Sequence, residues 1–228
     1  MSLTFDCAKP DRRRRGLAAA AEAIAAGHLV VLPTDTVYGV AADAFSPVAV
    51  DALREAKGRG RNMPVPVLVG SWTGIDGLMT TVPPLVRELI RHFWPGGLTL
   101  VVEHAPSLAW DLGDALGTVA VRMPLHPVAL ELLARTGPLA VSSANRSGEE
   151  PAVRVREARE QLAEAIRVFL DGGPAGEPVA STILDVTAGV PRLLRVGAVP
   201  VEDLREVVPD LVVPADPAPG DTVSPPAP

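Results

Sequence analysis

The chain's apolar residues recur with two periods. Between Arg13 and Ala26, Leu17, Ala20, Ala21 and Ile24 fall at three- and four-residue spacing, one face of a helix that Gly27 is placed to cap. The run from His28 to Leu32 is short, apolar and bounded by Gly27 and Pro33, which marks a buried strand ending at the proline. Ser46-Pro47 supplies a cap and a first-turn proline for a helix over Val48–Lys57. Val65–Val69 reads as a second buried strand, and Pro83-Pro84 opens a helix over Leu85–Phe93 that Pro95-Gly96-Gly97 stops. Leu98–Glu103 and Thr118–Met123 are predicted strands. A helix over Pro127–Arg135 ends at Gly137-Pro138, ahead of a strand over Leu139–Ser142 and a loop over Ser143–Glu150. A charged helix over Arg154–Ala165 precedes a strand at Val168–Leu170, and strands follow at Ser181–Val186 and Arg192–Val196.

Helices alternating with strands predict an α/β fold, a single layered domain over residues 1–213. Ile183–Val186 and Arg192–Val196 have no helix between them, so the twisted sheet is expected to be mixed, with antiparallel pairs. The last twenty residues hold seven prolines, three aspartates and no lysine or arginine, and residues 214–228 are expected to form a short disordered tail.

Composition narrows the function. A chain of 228 residues with 47% apolar content can build a substantial core. A net charge of −6 and only 4% aromatic residues disfavour a general nucleic-acid binder, although a local basic cleft with weak RNA binding stays open. The single cysteine, Cys7, allows neither an intrachain disulfide nor a paired-cysteine metal site. No stretch has the length and apolarity of a signal peptide or a membrane span, so a cytoplasmic protein without membrane contact is expected. His28, His92, His104 and His126 are scattered. P-loop, Rossmann, GxSxG and HExxH signatures are missing, and no metal site is predicted.

Four windows carry candidate chemistry. Thr34, Asp35, Thr36 and Tyr38 crowd hydroxyls around a carboxylate at a strand exit, where they bond either local backbone or a ligand. Only two lysines stand among 19 arginines, and one of them, Lys57, heads the cluster Lys57-Gly58-Arg59-Gly60-Arg61. Such a cluster either clamps an anion or is a solvated helix end. Arg122 closes an apolar strand, so its guanidinium requires either a structural carboxylate or an anionic ligand; Arg195 repeats the pattern. Ser142-Ser143-Ala144-Asn145 follows a strand at its carboxyl end, where α/β sheets collect ligands, and Ser181-Thr182 opens a strand that can face the same cleft. The residues alone point to an anion-binding cleft without a nucleophile or a metal cage, suited to a polyanion such as a nucleoside triphosphate.

These windows together resemble the YrdC-type threonylcarbamoyl-AMP synthase (TsaC) family. Pro33-Thr34-Asp35-Thr36-Val37-Tyr38-Gly39 is similar to its PT[DE]TVYGL motif, Lys57-Gly58-Arg59 to KxR and Thr118–Pro124 to TVAVRMP. Ser142–Asn145 is similar to its SAN loop, Ser181-Thr182-Ile183 to STI and Leu194-Arg195-Val196-Gly197 to LRxG. The resemblance implies a YrdC-like catalytic domain that joins L-threonine, bicarbonate and ATP into threonylcarbamoyl-AMP and pyrophosphate. The product would pass to the tRNA threonylcarbamoyl transferase machinery. Position by position it implies that Thr36, Arg122 and Ser181 hold threonine, and that Lys57 and Arg59 act on the triphosphate and carry the catalysis. Lys57, Arg59, Thr118, Ser143, Asn145 and Arg195 would seat ATP. It implies no tightly bound cofactor, with ATP entering as a substrate accompanied by Mg2+. The chain departs from the pattern at Gly60, Met63, Leu68 and Ala180, with Arg61 or Asn62 as candidates to stand in near the triphosphate. The competing expectation is a YrdC-fold RNA- or nucleotide-binding protein without synthase activity.

Overall fold

The computed structural model describes residues 2–175 and 179–214. The predicted tail therefore lies, from residue 215 on, outside the described residues.

Among the described residues ten strands and six helices follow in the order β1 (Leu3–Asp6), α1 (Pro10–Ala25), β2 (Leu29–Leu32), β3 (Gly39–Asp43), α2 (Pro47–Lys57), β4 (Val67–Leu68), α3 (Pro84–Phe93), β5 (Leu98–Glu103) and β6 (Thr118–Arg122). Then come α4 (Pro127–Thr136), β7 (Leu139–Ser143), α5 (Val155–Leu162), β8 (Ile166–Asp171), β9 (Thr182–Asp185), β10 (Arg192–Arg195) and α6 (Val201–Val207). A 3-10 turn covers Trp72–Gly77. Proline starts α1, α2, α3 and α4, where its missing N–H costs nothing. At α2 the Ser46 hydroxyl accepts from the Ala49 N–H, the predicted cap.

The strands form one mixed sheet in the order β1-β8-β2-β3-β7-β4-β6-β5-β9-β10. The β9–β10 pair is antiparallel, as expected, and β5–β9 and β4–β6 are parallel. Four elements differ from the sequence reading. β3 was not expected, because Gly39, Ala41 and Ala42 lack the bulk that signals a strand, yet it fills the gap between β2 and β7. The predicted strand Val65–Val69 keeps only Val67–Leu68 as ladder, because Pro64 and Pro66 remove donors. The edge strand β1 and the helix α6 were also not anticipated.

Side chains alternate across the sheet and build different layers on its two faces. Leu29, Val31, Val40, Ala140, Val67, Val121, Leu98, Leu100 and Leu184 point into a large core shared with α2, α3, α5 and α6. On the opposite face Val30, Leu32, Ala41, Val141, Leu68, Val168 and Leu170 pack beneath α1 and α4. That second cover stops near β4. From β6 to β9 the same face carries only a small cluster of Val101, Ala120 and Ile183, with Leu194 of β10 against it. Among the described residues no helix packs there, so a concavity opens where the α1/α4 layer ends. No helix among the described residues is long and apolar enough to cross a membrane.

Candidate functional site

The cavity at this boundary is walled by Thr34, Thr36, Arg59, Thr99, Arg122, Ser142, Ser143, Ser181 and Arg195, with Leu68, Val141, Ala180 and Ile183 as apolar lining. Six of the nine sequence-predicted site residues thus meet in one place: Thr36, Arg59, Arg122, Ser143, Ser181 and Arg195. Lys57, Asn145 and Thr118 are not on the wall.

The hydroxyls after β2 are held by local geometry. Thr34 Oγ1 donates to the Val37 carbonyl at 2.6 Å and accepts the Thr36 N–H at 3.2 Å. Its proton is therefore spent, so at the 3.1 Å contact between the two hydroxyls Thr36 is the donor. Thr36 Oγ1 in turn accepts from Arg122 Nη1 at 3.0 Å. Both threonines are buried, and Thr36 acts as a rest for the arginine with its own proton committed.

Arg122 closes β6 with its side chain buried. Nε donates to the Gly96 carbonyl at 2.8 Å, Nη1 to Thr36 and Nη2 to Asp35 Oδ1 at 2.7 Å. The sequence left its partner open between a structural carboxylate and a ligand, and the structure supplies the carboxylate. Asp35 also accepts the Leu125 N–H at 2.8 Å, which locks the carboxylate in place. Burial pushes the guanidinium's pKa down, and Asp35 offsets part of that. Three of the five guanidinium N–H groups are accounted for by these bonds.

Lys57 lies beneath the cavity rather than on its wall. Its side chain is fully buried, and Nζ donates to the Ser143 and Asn145 carbonyls at 2.5 and 2.7 Å, with Asn145 Oδ1 at 3.2 Å and Ser143 Oγ at 3.3 Å. Asn145 is equally committed, Nδ2 donating to the Arg146 and Glu149 carbonyls. Together they fix the turn after β7. Gly58 ends α2 in the left-handed region, at φ 68°, and lets the chain turn Arg59 back toward the cavity. There Arg59 Nη1 donates to Ser142 Oγ at 3.1 Å. Arg61 does not stand in at the cavity. It forks onto Asp111 at 2.9 and 2.7 Å and holds that carboxyl below its usual range.

Thr118 stands at the other end of β6, its hydroxyl donating to the Ala115 carbonyl at 2.6 Å, and it is not part of the cavity wall. It shares a strand face with Arg122 but is separated from it by Ala120.

On the far wall, Arg195 Nε donates to the Ser181 carbonyl and Nη2 to Ser181 Oγ, both at 3.0 Å. Strict alternation from Leu193, which faces the large core, would send Arg195 into that core too. A register shift between Leu193 and Arg195 turns it to the cavity instead. Gly197 completes this wall. A Cβ there would stand 2.6 Å from the Thr182 nitrogen, closer still to Ala180 and Ser181. Gly197→Ala is thus expected to displace Ser181 and cost about 1–3 kcal/mol, read by urea unfolding, with a matching loss of activity. An unchanged midpoint and activity would show that the wall has slack.

Two residues of this site escaped the sequence reading. Asp35 was noted only as part of a hydroxyl-rich turn, and nothing local to it announces Arg122, 87 positions away. Thr99 sits inside an apolar strand. Its only signal is parity, since it alternates with the core residues Leu98 and Leu100 and so faces the other way. Tyr38, also in the motif, is structural. Its buried phenol donates to the Gly173 carbonyl at 2.5 Å and accepts the Gly172 N–H at 3.1 Å, and burial raises its pKa. Among the described residues no group of three or more His, Cys, Asp or Glu side chains is placed to hold a metal.

The family model Sua5/YciO/YrdC, described as telomere recombination, matches residues 22–197, more than half of the chain. The chain belongs to this family. A putative threonylcarbamoyl-AMP synthase of Mycobacterium leprae is 61% identical over 208 residues, 91% of this chain and 94% of that protein. The threonylcarbamoyl-AMP synthase of Bacillus subtilis is 37% identical over 194 residues, 84% of this chain and 56% of its own length. P. abyssi Sua5 complexed with L-threonine superposes with a TM-score of 0.84 at 32% identity, over 93% of this chain and 62% of that one. The Sua5/YciO/YrdC fold thus accounts for the single mixed-sheet domain. Residues 22–197, which the family model matches, contain the cavity walls from Thr34 to Arg195.

Proposed function

We infer that this chain is an L-threonylcarbamoyladenylate synthase, a nucleotidyltransferase that converts L-threonine, bicarbonate and ATP to threonylcarbamoyl-AMP and pyrophosphate for the threonylcarbamoyladenosine modification of tRNA. The observation that carries the reading is Arg122. Its guanidinium is buried on the cavity wall, oriented by three fixed acceptors, and keeps N–H capacity for a carboxylate in a family with a threonine-bound member.

The chemistry needs no protein nucleophile. The threonine amine takes up the carboxyl of bicarbonate with loss of water, and the carbamate oxygen then attacks the α-phosphorus of ATP as pyrophosphate leaves. Holding the reactants together and neutralising phosphate charge supplies the catalysis. In this reading Arg122, held in place by Thr36, positions threonine by its carboxylate, with Ser181 beside it, while Arg59 and Arg195 meet the phosphates. Lys57 and Asn145 act by fixing the turn that presents Ser143. Thr118 would meet only the far part of the nucleotide. Mg2+ would arrive on the phosphates of ATP. Release of product to a tRNA-modifying transferase and a cytoplasmic location belong to the same reading.

Incubation with ATP, bicarbonate and L-threonine is expected to release pyrophosphate only when all three are present, with threonylcarbamoyl-AMP identified by mass. Equal pyrophosphate release without threonine would overturn the assignment.

A further inference from the structure

The hydrogen-bond inventory of the cavity is complete at one hydroxyl pair and incomplete at another. For Thr34 and Thr36 both protons have acceptors, the Val37 carbonyl and Thr34 Oγ1. Thr99 and Ser181 differ. Their oxygens lie 2.8 Å apart, close enough to share one proton, and either can be the donor. Ser181 Oγ also accepts from Arg195 Nη2, which has no capacity to accept in return. Two hydroxyls bring two protons. One lies between them, and among the described residues no protein acceptor stands opposite the second. Both side chains are buried, 3% and 7% exposed, so bulk water is not the easy answer for that proton. Both line the cavity.

The position of the pair names its partner. Thr99 is level with Ile183 of β9 in the parallel ladder. On its other side Leu100 pairs with Val121, and one further step of the same antiparallel register sets Thr99 beside Arg122. A ligand whose carboxylate meets Arg122 therefore brings the polar substituents of its Cα and Cβ within reach of the pair. In an α-amino acid with a β-hydroxyl these are the ammonium, which has no lone pair to accept a proton, and the side-chain oxygen, which has two.

We propose that Thr99 and Ser181 form one hydroxyl pair that donates a hydrogen bond to the side-chain oxygen of the bound amino acid, making Thr99 a specificity-determining residue. The inference rests on the reading that this cavity takes threonine at Arg122. Arg195 occupies one lone pair of Ser181 and supplies no acceptor. Whichever hydroxyl donates within the pair, the other keeps its proton for the ligand. The apolar neighbours Ile183 and Leu68 then suit the substrate's methyl group. A substrate without the hydroxyl leaves the second proton unpaired in a buried site, which is how such a pair rejects it.

The test compares binding of L-threonine with that of L-2-aminobutyrate, its analogue lacking only the hydroxyl, by calorimetry on the full chain. The wild type is expected to prefer threonine by about tenfold or more. Thr99→Val, which keeps the shape, is expected to lose about tenfold for threonine and to leave 2-aminobutyrate within about twofold. Thr99→Ser should retain the preference. If Thr99→Val weakens both ligands equally, the pair serves the carboxylate or the cavity shape and the proposal fails. It fails as well if the wild type binds both alike. A wild type that binds neither ligand refutes instead the threonine reading beneath it. Urea unfolding monitors the fold, and should Thr99→Val prove unfolded, Ser181→Ala carries the same comparison, with the same selective loss expected.

Discussion

Replacing Arg122 by lysine is expected to reduce stability and threonine-dependent turnover together. The guanidinium fills three separate acceptors at Gly96, Thr36 and Asp35, in a position only 6% exposed. A lysine ammonium keeps the charge, but its single nitrogen cannot span acceptors that a planar fork reaches in three directions. At least one buried acceptor is left without a donor, at a cost of about 1–3 kcal/mol in urea unfolding. Arg122→Met removes the charge as well, leaves Asp35 without its counterion and should cost about 3–5 kcal/mol. Losing the oriented contact to the substrate carboxylate should lower kcat/KM for threonine by roughly 30- to 1,000-fold, equivalent to about 2–4 kcal/mol. The two effects separate in the lysine variant. A stability loss with unchanged threonine kinetics would make Arg122 solely the partner of Asp35, and a kinetic loss at full stability would make the Asp35 pair dispensable.

Arg122 also shows how far the sequence reached. Its need for a partner was legible, because an arginine closing an apolar strand is costly unless satisfied. The partner was not, because Asp35 and Arg122 meet only through the sheet order β3-β7-β4-β6. Helix starts were read well wherever proline and a cap announce them, as at Ser46-Pro47. Leu98–Glu103 was read to the residue because its apolar, β-branched run lies between Gly97 and a polar turn. β3 was lost for the converse reason. Its residues are small because neighbours crowd it, and a Cβ on Gly39 would stand 2.7 Å from a Val141 methyl. The register shift that turns Arg195 into the cavity has no signature in Arg192–Arg195 itself, since it depends on the pairing with β9. The roles of Lys57 and Asn145 lie between these cases. Their types fit an anion site, and only the fold reveals that their polar atoms are spent on the protein.

That distinction yields the prediction with the largest effect on the fold. Lys57→Met should destabilise the chain by about 3–5 kcal/mol, because the Ser143 and Asn145 carbonyls and Asn145 Oδ1 lose a charged donor inside the protein, where each unsatisfied oxygen costs about 1–3 kcal/mol. Arg59→Met, two residues further on at the cavity wall, should cost far less stability, since that side chain is only half-buried. Both variants should lose ATP-dependent turnover, but by different routes. Arg59→Met removes a cation from the phosphate path and should raise the KM for ATP in a fold that melts near the wild type. Lys57→Met should lower the unfolding midpoint first and carry activity down with the turn that presents Ser143. The measurement is urea unfolding of both variants alongside pyrophosphate release across ATP concentrations. If Lys57→Met keeps the wild-type midpoint while the KM for ATP climbs, the ammonium reaches the triphosphate itself, and the turn over Ser143–Asn145 holds its shape without it.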